Sequence, residues 1–128
     1  MARAATLGAR SPSISLQDVP SAGIAAHCIS KSGLKMLTRC VALELARDKV
    51  AVNIVAPGFV DACFPGKSFQ ENPGAPEKSL RKVPLGYVES AAEVARAAEV
   101  LCSPDLEYMT GATSLVDGGN SLFFQEEN

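Results

Sequence analysis

A helical run that passes through one short turn into a buried strand constrains this chain more than any other feature. From Ala25 to Asp48, Leu34, Leu37, Val41 and Leu45 recur at the 3-4-4 spacing that stacks side chains on one helical face. Met36, Cys40 and Leu43 form a second apolar stripe, about 100° or more around the helix, and Lys31, Lys35 and Thr38 line one edge between the two. A helix with two apolar faces requires two partners, such as a sheet on one side and another helix on the other. Val50 to Ala56 (VAVNIVA) is β-branched, closed by Pro57-Gly58, and reads as a strand buried on both faces. Helix, turn and buried strand make one half of a βαβ crossover, which predicts an α/β fold with a parallel sheet.

Further elements follow in the same style. Pro65, Pro73, Pro76 and Pro84, with Gly66 and Gly74, make Asp61 to Pro84 a long loop with room for one helical turn at Glu77 to Arg81. Loops of that length inside a compact domain often serve as functional lids. Ser90-x-x-Glu93 is a capping box opening a second helix, whose inner face is Val94, Ala98 and Leu101 and which stops at Ser103-Pro104. Thr113 to Val116 is a last short strand, ended by Asp117-Gly118-Gly119. Residues 1–12 stand apart: Arg3 and Arg10 lie among small residues, and no acid occurs before Asp18. That stretch is expected to be a frayed tail, with a weak likeness to an organelle transit peptide.

Composition excludes several classes of function. The chain has 128 residues, 47% hydrophobic and 20% charged, with a formal net charge of −2, which suits one globular domain and not an electrostatic binder of nucleic acid. No apolar run approaches the roughly 18 residues of a membrane span. His27 is the one histidine, and Cys28, Cys40, Cys63 and Cys102 include no C-x-x-C pair, so neither a metal site nor a disulfide framework is expected. A reducing, cytoplasmic setting follows as the default. Aromatic residues are 5% of the chain and tryptophan is absent, a poor basis for stacking on bases or sugars.

Four segments then carry a resemblance: HCISKSGLKMLTRCVALELA from His27, VNIVAPGFV from Val52, VPLGY from Val83 and YMTGATSLVDGG from Tyr108. In this order and spacing they resemble the C-terminal half of a short-chain dehydrogenase/reductase, over residues 13–128. The resemblance implies part of a doubly wound, Rossmann-like parallel sheet that binds NAD or NADP at the carboxyl ends of its strands. It also implies a Tyr-x-x-x-Lys pair on the long helix, with a serine before it orienting the substrate oxygen. Lys31 stands at the lysine, which in the family holds the nicotinamide ribose and lowers the tyrosine's pKa. His27 stands at the tyrosine, so an imidazole replaces the phenol as proton carrier. The serine falls on Ser15, with Ser13 as the other candidate.

Pro57, Gly58 and Val60 match the turn that the family lays against the nicotinamide carboxamide, while Ala62 replaces its usual threonine. Pro57-Gly58 reads equally well as the plain end of a buried strand. The family's G-x-x-x-G-x-G turn, its ribose-selecting acid and its relay asparagine have no match, so the chain is expected to hold at most the nicotinamide end of a cofactor. The implied activity is hydride transfer to or from a small carbonyl or alcohol, impaired in this chain alone. The alternative is a non-catalytic, truncated relative that docks onto full-length family members. The expected contact surfaces, whether to another copy or to a full-length relative, are helix 30–47 and the C-terminal Leu122-Phe123-Phe124.

Overall fold

A computed structural model describes residues 3–6, 23–61 and 80–122. Its centre is β2 (Val50–Pro57), in which every residue after Val50 is buried. Successive side chains of a strand point to opposite faces, so uninterrupted burial means both faces are covered. Helices α1 (Ala25–Leu45) and α2 (Ala91–Leu101) both pack against this strand. On one edge β2 pairs in parallel with β1 (Arg3–Thr6), from Arg3 opposite Val50 to Thr6 opposite Asn53. On its other edge it pairs in parallel with β5 (Thr113–Val116), from Ile54 opposite Thr113 to Pro57 opposite Val116. A minor parallel pair joins β3 (Val60–Asp61) to β4 (Glu89–Ser90). The result is a partial Rossmann-like α/β unit, as the sequence implies.

The N-terminal segment corrects one expectation. Arg3–Thr6, read from composition as part of a frayed tail, is a strand of the main sheet. Small alternating residues give it no sequence signature, and its place is fixed by the open hydrogen-bonding edge of β2. The turn expected at Glu77 to Arg81 lies mostly outside the described residues.

Helix α1 is rotated relative to the apolar stripe counted in the sequence. Lys31, Thr38 and Ala42 are its buried residues, whereas Leu37 is 53% exposed. Three side chains explain the rotation. Thr38 and Ala42 are small enough to let the helix approach the sheet, and the Thr38 hydroxyl donates to the Leu34 carbonyl at 2.9 Å, so its burial leaves no orphan. A Cβ built on Gly111, ahead of β5, would stand 3.5 Å from the Ala42 methyl, which leaves little room for anything larger on either side. Leu34, Val41 and Leu45 flank this face half-buried. The second stripe is uncovered among the described residues, with Met36 56% and Leu43 79% exposed. The α-helix ends at Leu45, three residues earlier than expected, and a 3-10 turn at Ala46–Asp48 leads to Lys49 in the left-handed region at φ 58°. That turn redirects the chain into β2.

Inside β2 the one polar side chain is Asn53, 1% exposed. Its amide nitrogen donates to the Met109 carbonyl at 2.8 Å, and its amide oxygen accepts from the Ala112 N–H at 3.1 Å. Around this clamp the Gly111 N–H donates to the Val52 carbonyl at 2.8 Å and the Val52 N–H to the Thr110 hydroxyl at 3.1 Å. The segment before β5 is thereby tied to β2 before the strand pairing begins. At the other end of α2 the capping box is complete: the Glu93 N–H donates to Ser90 Oγ at 3.3 Å and the Ser90 N–H to the Glu93 carboxylate at 2.8 Å. Val94 and Ala98 are half-buried and Leu101 buried, which is the inner face read from the sequence.

These two polar devices differ in what their loss leaves behind. Asn53→Ala strands two partly buried backbone groups and is expected to cost roughly 2–4 kcal/mol, against about 1 kcal/mol for the loss of the cap in Ser90→Ala. Urea unfolding checks the order; equal midpoints for the two variants would mean that the Asn53 clamp is not a principal tie.

Candidate functional site

The first turns of α1 bring His27 and Lys31 onto one face, because a four-residue step is close to one helical turn. Lys31 is 7% exposed, unusually little for a lysine, and lies on the sheet-facing side. Desolvation holds its ammonium group below its ordinary pKa. His27 is half-buried, and its carbonyl accepts the Ser30 hydroxyl at 2.7 Å. An imidazole and a buried amine one helical turn apart are groups able to carry a proton and to hold hydroxyls. Ser15, Ser13 and Ala62 lie outside the described residues.

Pro57 and Gly58 close β2 in a buried position, and Val60, half-buried, pairs with Glu89 in the minor sheet. The Gly58 N–H donates to the Val116 carbonyl at 2.9 Å. A Cβ on Gly58 would come within 2.8 Å of the Asp117 Cα. The glycine is therefore explained by the crossing of two chain segments, without a ligand. For a nicotinamide cofactor the described residues offer a buried cation and a proton carrier on α1, packed against the strand that ends at Pro57. That donor set fits the ribose and nicotinamide end. Nothing among the described residues resembles a glycine-rich phosphate cradle.

Beside the carboxyl ends of β2 and β5 lies a second feature that the sequence reading missed. A cavity of about 470 Å³ is walled by Phe59, Val83, Leu85, Tyr87, Glu89 and Leu115, and closed by the Asp117-Gly118-Gly119 turn. Gly118 and Gly119 adopt φ of 59° and 85°. A Cβ on Gly118 would strike Val83 Cγ1 at 2.6 Å, and one on Gly119 would press Pro84 Cγ at 3.1 Å. The VPLGY and VDGG segments thus meet in space, tied by the Leu85 N–H donating to the Gly118 carbonyl at 3.1 Å. Asp117 stiffens the turn by accepting from the Gly119 and Ser121 N–H groups at 3.0 and 2.8 Å.

Glu89 is the anomaly of this cavity. Both carboxylate oxygens expose less than 1 Å² and neither has a hydrogen-bond partner among the described residues. Burial first, then the neighbouring Glu93 and Asp117 carboxylates, push its pKa up to about 7. Glu93 behaves oppositely, its carboxyl held below its ordinary range chiefly by the Ser90 backbone and hydroxyl. No sequence pattern marks Glu89, since a glutamate beside a capping box reads as solvated. Only the fold of Val83–Ser90 over the glycine turn reveals it. No helix among the described residues is long and apolar enough to cross a membrane.

Comparison with known proteins is consistent with these elements. The family model described as enoyl-(acyl carrier protein) reductase matches residues 11–121. The 3beta-hydroxysteroid dehydrogenase 1 of Eggerthella lenta is 38% identical over 105 residues, covering 82% of this chain and 40% of that protein. Glucose 1-dehydrogenase 2 of Bacillus subtilis is 36% identical over 107 residues, covering 84% of this chain and 41% of its own length. Among solved structures, a short chain dehydrogenase family protein from Francisella tularensis superimposes with a TM-score of 0.73 at 27% identity, over 84% of this chain and 48% of the other. The chain thus spans about two fifths of the length of these two curated relatives.

The crowding at Gly58 has a measurable consequence. Gly58→Ala must separate β2 from Asp117 and is expected to cost about 1–3 kcal/mol, as overpacking does. Gly33→Ala, in the exposed middle of α1 with nothing within 4 Å of the new Cβ, is expected to gain roughly 0.5–1 kcal/mol. Thermal melts of the two variants should move in opposite directions. A neutral Gly58→Ala would show that the close approach to Asp117 is readily relaxed.

Proposed function

The chain belongs to the short-chain dehydrogenase/reductase family, and from that premise we propose that it carries the substrate-side part of an oxidoreductase site for a small carbonyl or alcohol. The observation that carries the reading is Lys31, buried on the sheet-facing side of α1 with His27 one turn before it. NAD or NADP, when bound, supplies or accepts the hydride. Lys31 holds the hydroxyls of the nicotinamide ribose, for which a desolvated ammonium with three N–H donors is suited. His27 exchanges a proton with the substrate oxygen, donating it for reduction and accepting it for oxidation. Ser15 orients that oxygen, and the backbone of Pro57, Gly58 and Val60 borders the carboxamide.

An imidazole is shorter than a phenol and presents nitrogen where the family presents oxygen, so proton delivery by His27 is slow and the site is impaired. The 128-residue chain has no phosphate cradle in its sequence, and its own affinity for the dinucleotide is correspondingly weak. A cytoplasmic location accords with this chemistry.

A second reading rests on the uncovered stripe of α1. Ile29, Met36 and Leu43 are all more than half exposed on a helix whose other face is committed to the sheet. In that reading the chain is a non-catalytic partner that docks through helix 30–47 onto another copy or onto a full-length relative. The C-terminal Leu122 is also exposed, while Phe123 and Phe124 lie outside the described residues.

Two experiments separate these readings. With NADPH at millimolar concentration, His27→Tyr should gain carbonyl reduction over the parent chain, and adding Lys31→Ala should remove the gain. No gain from His27→Tyr would sink the catalytic reading. For the docking reading, Leu43→Glu should lower the mass seen in sedimentation; an unchanged mass would count against helix 30–47 as the contact.

A further inference from the structure

The dry, unpartnered carboxyl of Glu89 lies in a segment that few bonds hold down. Residues Val83–Ser90 form a strap over the end of the sheet, joined to the body by the Leu85–Gly118 bond and by the two-residue β3–β4 pairing. The Leu85 N–H donates to the Gly118 carbonyl at 3.1 Å, and the Glu89 N–H donates to the Phe59 carbonyl at 3.0 Å. Val83, 5% exposed, is its one buried apolar anchor, pressed against Gly118. Leu85 and Tyr87 are exposed by 65% and 51%, so little apolar burial opposes lifting of the middle of the strap. The cavity of about 470 Å³ lies directly beneath, with Glu89 in its wall.

We propose that Glu89 is a proton-controlled latch, its neutral form keeping the strap seated on the Asp117-Gly118-Gly119 turn and its ionised form releasing it. A neutral carboxyl can remain in a buried wall at modest cost, whereas a carboxylate needs donors, and no described residue donates to either Glu89 oxygen. The groups facing it are also acidic. Glu93 on α2 and the Asp117 carboxylate after β5 both disfavour a further negative charge. Asp61 of the neighbouring β3 is exposed, Tyr87 on the strap spends its hydroxyl on Glu93 at 3.4 Å, and Arg96 acts on Glu93. The ionised side chain gains hydration by turning into the cavity, and that movement draws on the two-residue strands β3 and β4, the shortest pairing in the fold.

The sign follows from where the proton resides. The folded chain keeps a proton on Glu89 up to about pH 7, while an unfolded chain releases it near the ordinary value of 4.5. Between those values the folded state binds more protons, so its stability falls as pH rises and levels off above 7. The latch is closed in mild acid and open in mild base.

Amide hydrogen exchange on the full chain tests this directly, with rates corrected for the intrinsic effect of pH. Between pH 6 and 8 the protection of Leu85 and Glu89 should fall by roughly tenfold, while Ile54 in the middle of β2 keeps its protection. Glu89→Gln, which preserves size and imitates the neutral acid, should hold both strap amides at the pH 6 level throughout. That variant also separates the latch from any effect of His27, which lies on α1. An equal loss in Glu89→Gln, or no loss in the native chain, would overturn the proposal. So would a loss that spreads equally to Ile54, because ionisation would then weaken the whole fold and not the strap.

Discussion

A strand buried on both faces has no water to satisfy it, so every polar group along β2 must be answered from within the protein. The rest of the structure is arranged around that requirement. Both edges are occupied by parallel neighbours, β1 on one and β5 on the other, and the stretch before β5 is pulled in by the side chain of Asn53. An amide is the right device there, since it offers a donor and an acceptor in one plane to a segment not yet in strand geometry. An apolar residue at position 53 would suit the burial but leave the Met109 carbonyl and the Ala112 N–H without the Asn53 partner. Specificity of topology is therefore obtained with one buried polar group, fully satisfied.

That arrangement also determines where Lys31 can be. Helix α1 is drawn close to β2 by small residues, Thr38 and Ala42, and this rotation carries position 31 to the sheet side along with 38 and 42, seven and eleven residues later. Lysine tolerates the position because its long apolar stem can be buried against the sheet, at the cost of desolvating the ammonium group. The same rotation leaves Met36, Leu37 and Leu43 facing outward. Burial of the polar Lys31 and exposure of the leucines are one fact seen from two sides of the helix. A chain selected for stability alone would be expected to do the reverse.

Much of the fold was legible in the sequence where a strong local rule applied. VAVNIVA closed by Pro57-Gly58 declared a doubly buried strand, and Ser90 and Glu93 declared a helix start. The strand at Arg3–Thr6 was not legible, because pairing along a backbone edge needs no particular side chains. The rotation of α1 was missed because counting apolar residues ranks Leu37 above Thr38 and Ala42, whereas close packing against a sheet ranks them the other way. Gly58 had two readings in the sequence, and the proximity of Asp117 supplies a reason for the glycine that no local pattern contains.

Glu89 belongs to a different class of unreadable residue. Its neighbours in sequence, Val88 and Ser90, announce a strand end and a cap, and a glutamate between them would ordinarily point to water. It becomes buried because Gly118 and Gly119, about thirty residues later, adopt left-handed conformations that let Val83 and Pro84 descend onto the turn and bring the strap over the carboxyl. A local conflict of this kind, a carboxyl with both oxygens buried and no hydrogen-bond partner among the described residues, lowers stability. It lies beside the carboxyl ends of β2 and β5, the region where α/β sheets place their ligands. Lys31 is buried on the helix face against β2, whereas the tension at Glu89 sits one step outward, where β4 pairs with β3.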